Sequence, residues 1–515
     1  MRGIIIAVWL WSFAAVAWGQ PNKYWIYLTD KDTANYHYQE QLSQAAIQRR
    51  QLQEIRLQQY TDVPVNTSYL KVLETYGITP VSQSKWLNAV SAYLSTEQLQ
   101  QVQKLSFVQK VQRLDSRWHI ASSFAQPFLV DEIYTTAIAQ LEGKQLKKAG
   151  LDGTGITIGV IDAGYYKANQ NDYLQELFKH QRILGIKDFV NPLKGDHFDK
   201  AETSNDTHGT QVLEFISGKV EDEIQIGLAT GAQFYLARTD HGYAEFRGEE
   251  DYWISAMEWM DSLGVSLINT SLGYALGFDD PSENYSPLDM NGNTSAISKA
   301  ATIAANDKGI LLVVSAGNEG ESADWRIIST PADAKGVLAV GATNYQGMKA
   351  GYSSIGPDFL SYIKPNVSCY SLGGTSFSAP VITGFAACLW QQNPEIKSHE
   401  LYEIIQQSST LYPYGNNYIG FGIPKASKAL ALMQKNKVAS SVQVLMSNNK
   451  TVKIKLDTKK DQHAVVFHKK DQRIVQRQEL ISVKKGEVKI KKPRSSAIKY
   501  STIVLPGSSY EVHWQ

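Results

Sequence analysis

Between Thr157 and Met433 the chain alternates short apolar runs with segments of helical length. The apolar runs are Thr157 to Ile161, Ala232 to Ala237, Leu267 to Thr270, Ile310 to Ser315 and Val337 to Val340. A run that is apolar at nearly every position has no face for water, so it reads as a strand buried on both sides. Segments Tyr252 to Leu263, Thr294 to Lys308 and Ser378 to Gln392 supply the helical crossovers that parallel neighbours require. The expected fold is α/β, a doubly wound, mostly parallel sheet with helices on both faces. Functional sites of such sheets gather beyond the carboxyl ends of the strands.

Residues 1–20 carry Arg2, an apolar run from Ile4 to Val16, and small residues before Gln20, the pattern of a signal peptide. A membrane-spanning helix takes roughly 20 apolar residues. This run is shorter and no later one reaches that length, so the expectation is a secreted or extracytoplasmic protein with no transmembrane anchor. Residues 21–120 read as a compact α+β unit. It has strands at Tyr24 to Thr29, Trp86 to Tyr93 and Phe107 to Val111, and helices at Gln39 to Gln59, Ser68 to Thr75 and from Ser95 through Lys104. Residues 121–140 read as a linker, and residues 141–435 hold the α/β domain. In residues 441–515 the short runs Val452 to Leu456, Ala464 to Phe467 and Val488 to Ile490 predict a small β module.

Lys and Arg number 51 against 50 Asp and Glu, so the chain as a whole has no electrostatic pull toward nucleic acid, which is not an expected partner. The balance hides an asymmetry, since residues 441–515 hold 16 basic and 6 acidic side chains, or +10, leaving −9 elsewhere. Those lysines read either as guards that keep edge strands from pairing or as an attachment to anionic envelope or glycan. Cys369 and Cys388 are too few for a disulfide framework and lack zinc-site spacing; two buried free thiols are expected.

Four strings place a polar group where an apolar run meets glycine or a helix start: Gly159-Val-Ile-Asp162-Ala-Gly164, Asp206-Thr-His208-Gly-Thr210, Val313-Val-Ser-Ala-Gly317-Asn318 and Gly373-Gly-Thr-Ser376-Phe-Ser-Ala-Pro380. Taken singly, each has an ordinary reading: Asp162 as a turn, His208 and Ser376 as helix caps, Asn318 as an Asx turn. Together they supply a carboxylate, an imidazole, a hydroxyl at a helix start and a side-chain amide donor, the parts of nucleophilic acyl transfer.

On these strings the chain resembles the subtilisin-like serine peptidases, the subtilases, in which Asp, His and Ser motifs occur in this order with an Asn between His and Ser. The resemblance implies that Asp162 orients the imidazole, His208 moves the proton, Ser376 attacks the peptide carbonyl, and Asn318 with the Ser376 backbone N–H forms the oxyanion hole. It further implies that Ser271, Leu272 and Gly273, together with Ser315, Ala316 and Gly317, flank an extended polypeptide substrate. No cofactor is required by this chemistry, no metal ligand is assigned, and structural calcium is compatible with the family. Residues 21–120 resemble the pro-segment that inhibits such enzymes until it is cut away. Gln211, Leu213 and Phe377-Ser378 depart from common subtilase residues without removing a catalytic group. The alternative is a catalytically inactive cell-envelope binding protein on a peptidase scaffold.

Overall fold

The computed structural model describes residues 21–34, 36–114, 136–220, 224–241, 247–276, 278, 281–435, 440, 442–456 and 462–515. The signal-peptide pattern of residues 1–20 and most of the 121–140 segment lie outside them. At the N-terminal end, strand β1 (Asn22–Leu28) runs antiparallel between two partners and sends Trp25 and Ile26 into the interior. Strands β2 (Pro80–Ser84), β3 (Ala89–Leu94) and β4 (Val108–Arg113) complete the sheet in the order β2-β3-β1-β4. Helices α1 (Gln44–Leu52), α2 (Thr67–Thr75) and α3 (Thr96–Val102) join the strands, and α3 opens on a reciprocal Ser95–Gln98 capping box.

The long helix expected through Gln59 stops at Leu52. Glu54 adopts a left-handed conformation at φ 55°, and the Ile55 N–H turns back to the Arg50 carbonyl, closing a Schellman-type end. Strand β2 escapes the sequence pattern because it is a sheet edge built from polar residues.

The central sheet has seven parallel strands, β5 (Thr157–Asp162), β6 (Ile183–Asp188), β7 (Gln233–Arg238), β8 (Leu267–Thr270), β9 (Leu311–Ser315), β10 (Leu338–Thr343) and β11 (Val367–Tyr370). Their order is β11-β10-β9-β8-β5-β7-β6. The two strands absent from the sequence reading, β6 and β11, are its two edges. One is interrupted by Gly185 and only half-buried, and the other is a four-residue run containing Ser368.

Adjacent residues of each strand feed opposite faces. Val160, Leu267, Val313 and Val340 join the side covered by α4 (His208–Ser217) and α7 (Ser378–Gln392). Ile161, Ile268, Val314 and Ala339 join the side covered by α5 (Glu250–Leu263) and α6 (Ala296–Asn306). Helix α7 is buried on every side from Ser378 to Trp390, which makes it the axis of its layer.

The N-terminal unit packs on α5 and α6, where Trp25, Tyr27 and Trp86 enter the same apolar cluster as Trp253, Met257 and Ala301. Charges are buried with them. Lys23 pairs with Asp251 at 2.9 Å with both side chains fully buried, and Arg49 and Arg50 both pair with Asp261. Glu258 accepts hydrogen bonds from the Ser84 hydroxyl and the Lys85 and Trp86 backbone N–H groups. Lys308 returns the exchange by reaching Asp62 at 2.6 Å.

Strands Val442–Ser447, Gln462–Lys469, Val475–Val483, Tyr500–Leu505 and Ser508–Trp514 form a five-stranded sheet, with a separate ribbon pairing Thr451–Lys455 and Glu487–Lys491. This module is docked on the α/β domain: Val465, Phe467 and Val475 share an apolar cluster with Leu411, Tyr418 and Ile419. Gln478 exchanges hydrogen bonds with the Lys349 backbone in both directions. No helix among the described residues is long and apolar enough to cross a membrane.

Removing the buried Asp261 carboxylate leaves Arg49 without its carboxylate partner and Arg50 with Asp62 alone. Asp261→Ala is therefore expected to destabilise the full chain by about 3–5 kcal/mol, measured as a lowered denaturation midpoint in urea.

Candidate active site

Asp162 is the last residue of β5 and fully buried, while His208 is the first residue of α4. His208 Nδ1 lies 2.6 Å from Asp162 Oδ1, and the same oxygen accepts the Ala163 N–H at 2.8 Å. Two glycines permit this approach. A Cβ on Gly209 would meet the Gly164 carbonyl at 2.4 Å and Asp162 Cβ at 3.0 Å. A Cβ on Gly164, at φ +159°, would meet Asp206 Cα at 2.8 Å.

Behind the two loops sits Arg238, whose one trace in the sequence is a charge at the end of an apolar run. It lies opposite Asp162 in the parallel register. Its Nε donates to the Ala163 carbonyl at 2.9 Å, and its guanidinium pairs with Asp188 at 3.0 Å and Glu202 at 2.8 Å. Asp206 lies within 3.6 Å. One buried cation thus ties the loop after β5 to the loop that presents His208.

Ser376 stands in a single turn, Thr375–Phe377, that leads into α7. Its hydroxyl donates to the Ser271 carbonyl at 3.3 Å, and the Ser271 hydroxyl donates back to the Ser376 carbonyl at 2.9 Å. Among the described residues His208 and Ser376 share no hydrogen bond, so the imidazole is hydrogen-bonded to the carboxylate and not to the hydroxyl. At 3.3 Å the bond holding the hydroxyl is long for O–H···O and yields easily.

Asn318 follows β9, and its Oδ1 accepts both the Thr375 N–H at 2.9 Å and the Thr375 hydroxyl at 3.1 Å. Thr375 Oγ1 in turn accepts the Gly317 N–H at 3.0 Å. With Oδ1 committed, the amide nitrogen is the end left for the cleft. Gly374, at φ +136°, keeps that side clear, since a Cβ there would stand 3.3 Å from Asn318 Nδ2.

Asp162 lies behind the imidazole; His208, Ser376 and Asn318 line one cleft of about 600 Å3, together with Ser271, Leu272, Gly273, Ser315 and Gly317. Ala316 does not line it. Its N–H is taken by the Val340 carbonyl of the neighbouring strand, its carbonyl accepts from the Ser329 N–H, and its side chain is fully buried.

Residues 153–447, more than half of the chain, match the family model Peptidase_S8, the subtilase family. The chain belongs to that family. Residues 23–126 of this subtilase match the peptidase S8 propeptide domain of Bacteroidota. Subtilisin NAT of Bacillus subtilis subsp. natto and subtilisin E of Bacillus subtilis (strain 168) are each 25% identical to it over 356 residues, covering 66% of this chain and 80% of theirs. Among solved structures, the epidermin leader peptide processing serine protease of Staphylococcus aureus superposes with a TM-score of 0.55 at 15% identity, covering 80% of this chain and 99% of that one. That likeness is one of fold. Family and relatives make the chain a serine endopeptidase carrying a propeptide domain.

The subtilase departures noted in the sequence have visible roles. Phe377 lies 5.6 Å from the His208 ring, centroid to centroid, and stacks on Phe215 at 5.1 Å, so it walls the imidazole against α4. Gln211 lines the cleft, and Leu213 is fully buried in the core. Cys369 and Cys388 are free and buried, and burial pushes both thiols up, away from the thiolate. Among the described residues no three His, Cys, Asp or Glu side chains converge as metal ligands.

Burial lowers the His208 pKa, but the charge of Asp162, its hydrogen bond and the more distant Asp240 outweigh that and hold it above the ordinary imidazole value. A general base must be neutral, so activity is expected to fall on acidification at a higher pH than an unperturbed imidazole would give. Asp240→Asn removes one raising charge, so the acid limb of kcat/KM should move to lower pH. Gly209→Ala should push His208 away from Asp162 and lower kcat/KM by about 10²-fold, read from hydrolysis of a short chromogenic peptide.

Proposed function

We propose that this subtilase is an exported endopeptidase working through Asp162, His208 and Ser376, with residues 1–20 removed on export and residues 21–120 acting as an intramolecular inhibitor. Cleavage in residues 121–140 separates the inhibitor from the catalytic domain, residues 141–435. The observation that carries the reading is the 2.6 Å contact of Asp162 with His208 in a cleft shared by Ser376 and the free end of the Asn318 amide.

In the proposed sequence an extended polypeptide pairs with the backbone of Ser271 to Gly273 on one side and the strand end at Ser315 and Gly317 on the other. A substrate N–H reaching the Ser271 carbonyl competes with the Ser376 hydroxyl for the acceptor that now holds it. The hydroxyl then turns toward His208 Nε2, which takes its proton as Oγ attacks the scissile carbonyl. Asp162 holds the Nδ1 proton and stabilises the imidazolium. The Asn318 amide and the Ser376 backbone N–H donate to the oxygen that becomes negative. His208 returns the proton to the leaving amine, giving an acyl-enzyme, and water repeats the sequence in reverse to release the acid. These steps draw on no cofactor.

Export is supported by the residue 1–20 pattern and by the propeptide domain. Ser376→Ala is expected to lower peptide hydrolysis by a factor on the order of 10⁶ and to abolish labelling by a fluorophosphonate. It should also leave the precursor uncut if maturation is intramolecular. Retained labelling would refute the assignment of the nucleophile.

A further inference from the structure

A second cavity, of about 680 Å3, lies in the C-terminal module, away from the residues of the catalytic cleft. Its walls follow from strand alternation. On Val475–Val483, Arg477, Glu479 and Ile481 share one face; on Glu487–Lys491, Lys489 and Lys491 face out while Val488 and Ile490 are buried. The turn that follows closes the cavity with Lys492 and Arg494, over a floor that includes buried Pro493 and Ile498.

Five cations therefore line one concave surface, Lys489 pairing with Glu487 beside it and Lys492 donating to the Gln515 carbonyl, and among the described residues its lining holds one carboxylate, Glu479. That carboxylate is already engaged by His468 at 2.8 Å and Arg477 at 3.2 Å. In the ribbon register Lys453 stands directly opposite Lys489, so two like charges share one carboxylate, Glu487, 3.2 Å from Lys489 Nζ. Lysines serving only to keep an edge soluble have no need of a shared concavity or of facing one another.

We propose that this cavity binds an acidic polysaccharide, its carboxylate, sulfate or phosphate groups lying between the two strand faces. Arg477 and Arg494 offer planar forks that match such anions, and the lysines add mobile charge. The lining has no aromatic side chain on which a base could stack, which disfavours single-stranded nucleic acid. Its apolar residues are floor rather than projecting anchors, which disfavours insertion into a lipid surface. A bound polymer would hold the peptidase beside material rich in that polymer.

The test uses the full chain with heparin and polygalacturonate as sulfated and carboxylated probes, followed by fluorescence anisotropy. Binding of at least one probe is expected, weakening as salt rises from about 50 to about 200 mM. Combined Lys489→Gln, Lys491→Gln and Arg494→Gln should weaken binding about ten-fold or more. The charge-matched control Lys450→Gln, Lys484→Gln and Lys499→Gln, in the same module outside the cavity, should change it less than about two-fold. Both sets should keep peptide hydrolysis and the thermal midpoint of the parent. Equal loss in the two sets, retention of neither probe at low salt, or equally tight binding of duplex DNA or phosphatidylglycerol vesicles through the same three side chains would overturn the proposal.

Discussion

The approach of the α4 start to the end of β5 is the constraint on which the candidate site rests. A parallel sheet delivers Asp162 to its carboxyl edge, fully buried, but a carboxylate there is useful only if the imidazole can be brought against it. Gly164 and Gly209 remove the two side-chain carbons that would prevent contact. Arg238 fixes the loops on which both residues ride. Opposite them, the Thr375 hydroxyl and N–H turn the Asn318 amide, so two separate hydrogen-bond systems orient the halves of the cleft.

Helix α5 serves two masters. One face packs on the sheet through Trp253, Met257 and Met260; the other presents Asp251, Glu258 and Asp261 to the N-terminal unit. Every one of those carboxylates is buried and met by a donor from the N-terminal unit. A contact built this way is specific in register, because a shifted docking would strand charges in a medium that cannot solvate them.

How much of this was legible beforehand depended on range. Asp162, His208, Ser376 and Asn318 could be singled out because each sits in a local string whose glycines and neighbours carry the message. The central strands were legible from continuous apolar runs, whereas β6 and β11 were not, since edge strands carry fewer apolar residues. Contacts between distant segments left no local trace: nothing near Arg49 announces Asp261, and nothing near Thr375 announces Asn318. Ala316 shows the converse. It belongs to a motif by position, yet its backbone is spent on its neighbours Val340 and Ser329. The orientation of the Ser376 hydroxyl toward Ser271 is likewise a matter of rotamer, which no residue string encodes.

The mixed character of the α5 interface bears on what happens if its cover leaves. An all-hydrocarbon junction, once parted, exposes a sticky scar that drives precipitation. Here parting would also wet Asp251, Glu258, Asp261 and Lys308, groups that hydrate strongly and repel unrelated surfaces. The uncovered enzyme would carry a hydrophilic seam through the newly bared area, and with it a measure of colloidal protection that an apolar dock of equal size lacks.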